Sequence, residues 1–455
     1  MLCRRSVFSH IVKRGAAAAA ATSDAAARGS HEEHVVKTSR LPTGLTVCSI
    51  DQGGALARLA VAFRAGSRYE DEQHRGVTHR MRNCVGLGTK GHSAYELLWR
   101  AGILGGDIRA TTTRDMFVVE LAAWRDSAAP GMEVLGEIAG QPGFKQWELA
   151  DTEESVRLDR ELLKQNAGAR LLELLHKAAY RTGPLANSLL APKHATNLNY
   201  RVLESFAQQH LVTGGAALVG VNVEHEQLLA YAQEHAPIGG RAGVALPRSD
   251  YGGGERRKET HGPLAHAAFA GAAPGLSDAK GVAAAAVLAA AIGTGPAVKW
   301  SSKSGNSAAA LDAAKSCGGA PFGLTSLMAL HPEQGLLGVY CVSEAEHMRG
   351  VLTAAYGTMK RLAKTPLNAD ELNVAKRTTA THLLMRAESS RAFLEDLVAQ
   401  TLATGIPNSP GELLQLVNQV TAADVLNAAA TVMSKPSLAA LGNLKDTPYL
   451  DELAS

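Results

Sequence analysis

The same helix-then-strand ending occurs twice in this chain of 455 residues. YRVLESFAQQHL (200–211) runs into AALVGVNV (216–223), and ADVLNAAATVM (423–433) runs into LAALGNL (438–444), with Gly220 and Gly442 at matching places. Upstream of these, 278–291 parallels 76–86, and 368–388 parallels the long helical region at 147–176. The same order of elements at a similar offset argues for duplication. A chain of this length also exceeds what one ordinary hydrophobic core holds together, so two domains are expected. Whatever fold the first half takes, the second must be able to take as well.

Within the first half, residues 35–39, 46–50 and 56–63 read as strands, the first two joined by a turn at Pro42, Thr43 and Gly44. Residues 77–86 and 93–101 read as helices, 116–123 as a strand, 147–176 as helical, 200–211 as a helix and 216–223 as a closing strand. Hairpin-connected strands with helices gathered on one side imply an α+β layer. The expected fold class is therefore α+β, with two duplicated domains facing each other across a cleft. The Gly-, Arg- and Pro-rich stretch at 238–259 reads as an extended linker between domains at 31–237 and 260–455.

At 46% apolar and 20% charged residues the composition is globular. A formal net charge of +3, evenly spread, gives no argument for nucleic acid. The five cysteines contain no C-x-x-C pair, which fits a reducing compartment and gives no framework for disulfides, cysteine-bound zinc or iron–sulfur clusters. With no C-x-x-C-H haem signal either, no cofactor is expected. In the first thirty residues Arg4, Arg5, Lys13, Arg14 and Arg28 stand against the single acid Asp24, interleaved with apolar residues at helical spacing. A basic, amphipathic, acid-poor start is the signature of a mitochondrial transit peptide over about residues 1–30. The longest apolar stretch, GVAAAAVLAAAI (281–292), falls short of the roughly 20 residues needed to span a bilayer. Membrane association is expected only through partners.

HRMRN (79–83) has the spacing of an inverted zinc-peptidase motif without its chemistry. H-x-x-E-H puts two imidazoles at i and i+4 on one helical face, with a glutamate to deprotonate the metal-bound water. Here His79 keeps its type, Arg82 stands at the general-base position and Asn83 at the second imidazole. A zinc ion would meet a fixed positive charge and a weak amide oxygen, so neither metal binding nor peptidase activity is expected.

GSRYEDE (66–72), GTKG (88–91) and GGDIRATTTRD (105–115) surround HRMRN in an order and spacing that resemble the pitrilysin-type, or M16, peptidase family, which includes the mitochondrial processing peptidases. The resemblance implies a third ligand glutamate roughly 75 residues beyond the motif, with another glutamate seven residues before it. Those positions fall on Glu154 and Glu161, which completes an expected vestigial site of His79, Arg82, Asn83, Glu154 and Glu161. HKAAYRTGPLANSLLAP (176–192), YGGGERR (251–257), GTGPAVKW (293–300), QGLLGVY (334–340) and GNLKDTPYLDEL (442–453) are similar to the non-catalytic core-subunit branch of that family. What this implies is a subunit of respiratory complex III, on the matrix side of the mitochondrial inner membrane. It would pair with core protein 1, contact other subunits of the cytochrome bc1 complex, and support assembly and stability. A presequence peptide could lie in the chamber between the paired subunits. The rival reading is the non-catalytic α-type subunit of the mitochondrial processing peptidase. That subunit carries a long glycine-rich loop, whereas 301–316 here is rich in serine and alanine with Gly305 its only glycine.

With the metal gone, the Arg82 guanidinium is expected to contact Glu161 or Glu154 and replace zinc as the link between two helices. The competing expectation is that Arg82 turns outward to solvent. Carboxylates seven apart usually mark a solvated helix face. Tyr180, Trp300 and Tyr340 are expected as packing anchors.

Overall fold

The computed structural model describes residues 35–193, 198–293 and 307–454. The transit-peptide reading, Cys3, Trp300 and the start of the serine-rich stretch lie outside the described residues. The first half runs β1 (Lys37–Arg40), β2 (Thr46–Ile50), β3 (Leu56–Phe63), α1 (Val77–Cys84), α2 (Ala94–Ile103), β4 (Asp107–Thr112), β5 (Phe117–Trp124), α3 (Ala128–Gly140), α4 (Gln146–Asp151), α5 (Glu153–Gln165), α6 (Ala167–Tyr180), α7 (Tyr200–His210), β6 (Ala216–Val221) and α8 (His225–His235). The second runs β7 (Gly254–Glu259), β8 (Leu264–Pro274), α9 (Ala279–Ile292), α10 (Ala308–Ser316), β9 (Phe322–Leu330), β10 (Gln334–Glu344), α11 (Met348–Leu362), α12 (Ala369–Glu388), α13 (Ser390–Thr404), α14 (Pro410–Gln419), α15 (Ala422–Ser434), β11 (Ser437–Gly442) and α16 (Leu450–Ala454).

The sheets carry the duplication. Their orders are β1-β2-β6-β3-β5-β4 and β7-β11-β8-β10-β9, so the second repeats the first without its outermost strand. In each, the closing strand runs parallel to the opening one (β6 to β2, β11 to β7) and antiparallel to the next (β3, β8). β6 (AALVGV) and β11 (SLAALG) are buried along their whole length, as continuous apolar runs in central strands should be. Gly66 and Gly275 follow corresponding strands and play the same part. A Cβ at Gly66 would stand 2.2 Å from the Arg114 carbonyl oxygen, and one at Gly275 2.3 Å from the Glu333 carbonyl carbon.

One face of each sheet is covered by its own half: α1, α3, α7 and α8 on the first, α9, α11 and α15 on the second. The other face is covered by the opposite half. Phe393, Leu394, Leu397, Val398 and Leu402 of α13 pack on Cys48, Ile50, Ala60, Ala62 and Val219 of the first sheet. Leu171, Leu175, Ala179 and Tyr180 pack from α6 onto Ala268, Ala270, Leu336, Ala439 and Leu441 of the second. Alternate residues of one strand serve the two cores, Ala265 and Ala267 inward and Ala268 and Ala270 toward α6. This exchange of helices binds the described residues from Val35 onward into one compact unit.

Three expectations need adjustment. The helical region at 147–176 is three helices, because Thr152 ends α4 and Asn166 caps α6, its side chain accepting from the Ala169 N–H at 3.0 Å. Residues 107–112 form an edge strand that sequence periodicity did not reveal, since its charged and threonine side chains are exposed or half-buried throughout. The end of the expected linker, Gly254–Glu259, is strand β7, paired in parallel register with β11. Its charged alternation hides the pairing, because an edge strand needs few apolar side chains.

Candidate functional site

The helix that carries HRMRN starts at Gly76, whose φ of 95° suits glycine and whose Cβ, if present, would stand 2.4 Å from Ala191. Glu70 caps this start. Its carboxylate accepts from the Gly76 N–H at 2.7 Å, the Thr78 N–H at 2.9 Å and the Thr78 hydroxyl at 2.6 Å. Burial pushes the Glu70 pKa up to about 7, against the pull of these three donors. Val77, Met81 and Cys84, at helical spacing, enter the core of the first half. His79, Arg82 and Asn83 are left to face α5.

All three converge on Asp159 of α5. His79 is fully buried and sits 3.0 Å from Asp159 through Nε2, while its Nδ1 accepts from the Ala191 N–H at 3.1 Å. Accepting at Nδ1 fixes the neutral tautomer with the proton on Nε2, donated to Asp159. Burial lowers the His79 pKa, the Asp159 hydrogen bond opposes it, and the Arg82 charge adds to the lowering. Arg82 Nη2 donates to the same Asp159 oxygen. Asn83 Nδ2 donates to it at 3.2 Å and to the His79 carbonyl at 3.0 Å. Burial works to raise the Asp159 pKa, but the His79 hydrogen bond, the Arg82 charge and the Asn83 amide outweigh it and hold the carboxyl below its ordinary range.

Arg82 therefore links the two helices, but through Asp159 rather than Glu154 or Glu161. Glu154 pairs with Arg157 at 2.7 Å and Glu161 with Lys164 at 2.6 Å, one helical turn along the same exposed face. Their side chains are 72% and 54% exposed, against 28% for Asp159. The physical reason is helix phase. Val156 is the buried residue of α5, and Asp159, three residues on, shares its side, whereas positions 154 and 161 are turned away. Counting from the motif found the right helix and the wrong face. The apolar pattern gave little help, since Leu158 and Leu162 are themselves exposed.

The donor set does not fit zinc. Both ring nitrogens of His79 are engaged, the second imidazole position holds an amide, and a guanidinium occupies the carboxylate that a cation would need. The arrangement is a hydrogen-bonded cross-link between α1 and α5.

Two neighbouring features complete the setting. Arg68, from the GSRYEDE stretch, is fully buried where the two halves meet, and binds Asp115 at 2.7 Å together with Glu333 of the second half and the Pro247 carbonyl. His331 Nδ1 joins Asp115 at 2.6 Å, and its Nε2 lies 3.3 Å from that of His176. Burial would raise the Asp115 pKa, but His331 and Arg68 together hold it low. Burial, then the Arg114 and His331 charges, lowers the His176 pKa well below the ordinary histidine value. At the N-terminal end of α1, a recess of about 480 Å³ is bounded by Gly76, Ala191, α5, α6 and β7.

The family profile described as "Insulinase (Peptidase family M16)" matches residues 46–193, and "Peptidase M16 inactive domain" matches 197–379. The cytochrome b-c1 complex subunit 2, mitochondrial, of Homo sapiens is 32% identical over 458 residues, covering 100% of both chains. This chain belongs to the M16 peptidase family. Another family relative, a probable mitochondrial-processing peptidase subunit alpha-2 from Arabidopsis thaliana, is 28% identical, covering 93% of this chain and 85% of that one. Among solved structures, a chain of complex III2 from Candida albicans shares the fold with a TM-score of 0.80 at 16% identity, over 92% of this chain and 99% of that one. The second M16 profile begins at 197, ahead of α7 and of β6, which belongs to the first sheet, so the profile boundary and the sheet boundary differ. In this M16 chain α1 and α5 are joined through His79, Arg82, Asn83 and Asp159.

Proposed function

We propose that the chain is a non-catalytic core subunit of the mitochondrial cytochrome b-c1 complex, respiratory complex III, pairing with core protein 1 and supporting assembly and stability of the complex. The observation that carries this reading is the end-to-end similarity to the human subunit 2, with 100% of both chains aligned at 32% identity. A shared fold alone would leave the function open. The processing-peptidase α relatives align at lower identity and over a smaller share of their own length.

The absence of peptidase chemistry is supported by the His79–Arg82–Asn83–Asp159 cross-link, which takes up the side chains that a metal and its water would require. No described helix is long and apolar enough to cross a membrane, so a place on the matrix side of the inner membrane would be reached through partner subunits. In this reading residues 1–30 are the transit peptide and the first domain ends near 237. The second domain starts with β7 at Gly254. A presequence, which is basic, is a poor match for the recess beside α1, where eight cationic side chains converge.

Native purification of the tagged chain from mitochondrial membranes tests the proposal. Co-migration with a haem-absorbing assembly, in equal amount with core protein 1, is the expected result. Recovery in a soluble peptidase heterodimer, or stoichiometric zinc on this subunit, would overturn it.

A further inference from the structure

The recess beside α1 concentrates positive charge far beyond what a chain of net charge +3 would bring together by chance. Arg170, Lys177 and Arg181 follow i, i+7 and i+11 along α6 and its C-cap, so they share one helical face. Arg256 and Lys258, two apart on the edge strand β7, open into the same space. Arg160 and Lys164 enter from α5, and Arg75 from the loop before α1. The single carboxylate in the lining, Glu173, is buried and already bound by Arg114 at 2.7 Å.

Three of the guanidiniums are held in place by carbonyl oxygens rather than by carboxylates. Arg160 donates to the Pro192 carbonyl at 3.2 Å, Arg170 to that of Lys164 at 3.1 Å and Arg181 to that of Gly253 at 2.9 Å. At the rim Lys164 meets the exposed Glu161 and Arg75 the exposed Glu72. Lys177, Arg256 and Lys258 make no ion pair among the described residues. Cations drawn from four parts of the chain repel one another in this arrangement, and an anion would relieve that repulsion.

We propose that this recess binds a compact polyanion carrying two or more linked phosphates. A volume of about 480 Å³ lies in the range of small-molecule sites and holds a nucleotide-sized ligand, whereas it accommodates only a few residues of an acidic peptide. Positioned arginine forks match phosphate oxygens two at a time, and the lysines add point charges. All of the lining residues belong to this chain.

Calorimetric titration of the purified full chain with inorganic tripolyphosphate tests this. Saturable one-to-one binding is expected, weakened by about tenfold for each cation removed in the series Lys177→Gln, Arg256→Gln and Lys258→Gln. All three side chains are exposed, and unchanged thermal melting establishes that the variants fold. Arg109→Gln, on the exposed edge strand β4, should bind like the parent. No saturable binding, equal binding by the triple variant, or equal displacement by a glutamate oligomer would overturn the proposal. Phosphatidylcholine vesicles with and without cardiolipin identify the source of the phosphates. Cardiolipin-dependent sedimentation that tripolyphosphate reverses assigns a lipid headgroup, and tripolyphosphate binding without sedimentation assigns a soluble ligand.

Discussion

Asp159 joins α1 to α5 by accepting from three side chains at once, and two of its three donors were visible in HRMRN as departures from metal chemistry. Removing it strands the buried His79 N–H, so Asp159→Ala should lower unfolding stability by about 1–3 kcal/mol in urea titration. Glu154→Gln and Glu161→Gln, on the exposed face, should stay within about 0.5 kcal/mol of the parent. Equal losses at all three positions would show that the cross-link is not the one described. His210 carries a pH dependence. Burial between Phe206 and Tyr69 lowers its pKa to about 4, against a modest opposing backbone hydrogen bond. Because the unfolded chain binds this proton near pH 6.5 and the folded chain only near 4, stability should fall as pH drops through that interval. Chemical denaturation of the parent and of His210→Gln across pH 7 to 4 should give a shallower decline for the variant; parallel declines would assign the dependence elsewhere.

At the scale of elements, α6 and α13 have the same task in opposite directions: each covers the sheet of the half it does not belong to. Leu397→Ala, in the second half, empties part of the core over β2, β3 and β6, and should cost roughly 2–5 kcal/mol. Hydrogen exchange should rise in those first-half strands and remain near parent levels in β8 and β10; the reverse pattern would contradict the exchange of helices. Some helix starts are fixed by caps that are local in sequence. Asn368 with Glu371, Ser409 with Glu412, and Thr421 with Asp424 form capping boxes at α12, α14 and α15. The edge strands β4 and β7 were not readable, because strand pairing at an edge is a property of the neighbour as much as of the strand.

For the whole molecule, neither half is expected to stand alone. Residues 35–253 expressed without the rest would expose Ile50, Ala60, Ala62 and Val219, and residues 254–454 would expose Ala268, Leu336 and Leu441. Separate fragments should aggregate or remain partly unfolded by circular dichroism and sedimentation, while co-expressed fragments should recover a folded complex. Soluble, cooperative folding of either fragment would show that the cross-cover is dispensable. The seam where the halves meet also holds the Arg68–Asp115–Glu333–His331 network, whose first-half members lie more than two hundred residues from its second-half members. Duplication, the α+β class, the closing strands and the replacement of metal-ligand residue types by Arg82 and Asn83 could all be read from the chain itself. Each is written in residue types or in short-range periodicity, which survive without knowledge of neighbours. Which acid meets Arg82, which helix covers which sheet, and where cations from α5, α6 and β7 converge were decided only by tertiary structure. Those outcomes turn on helix phase and on contacts between distant segments, where a shift of one or two residues moves a side chain from the interior to solvent and no local pattern records the difference.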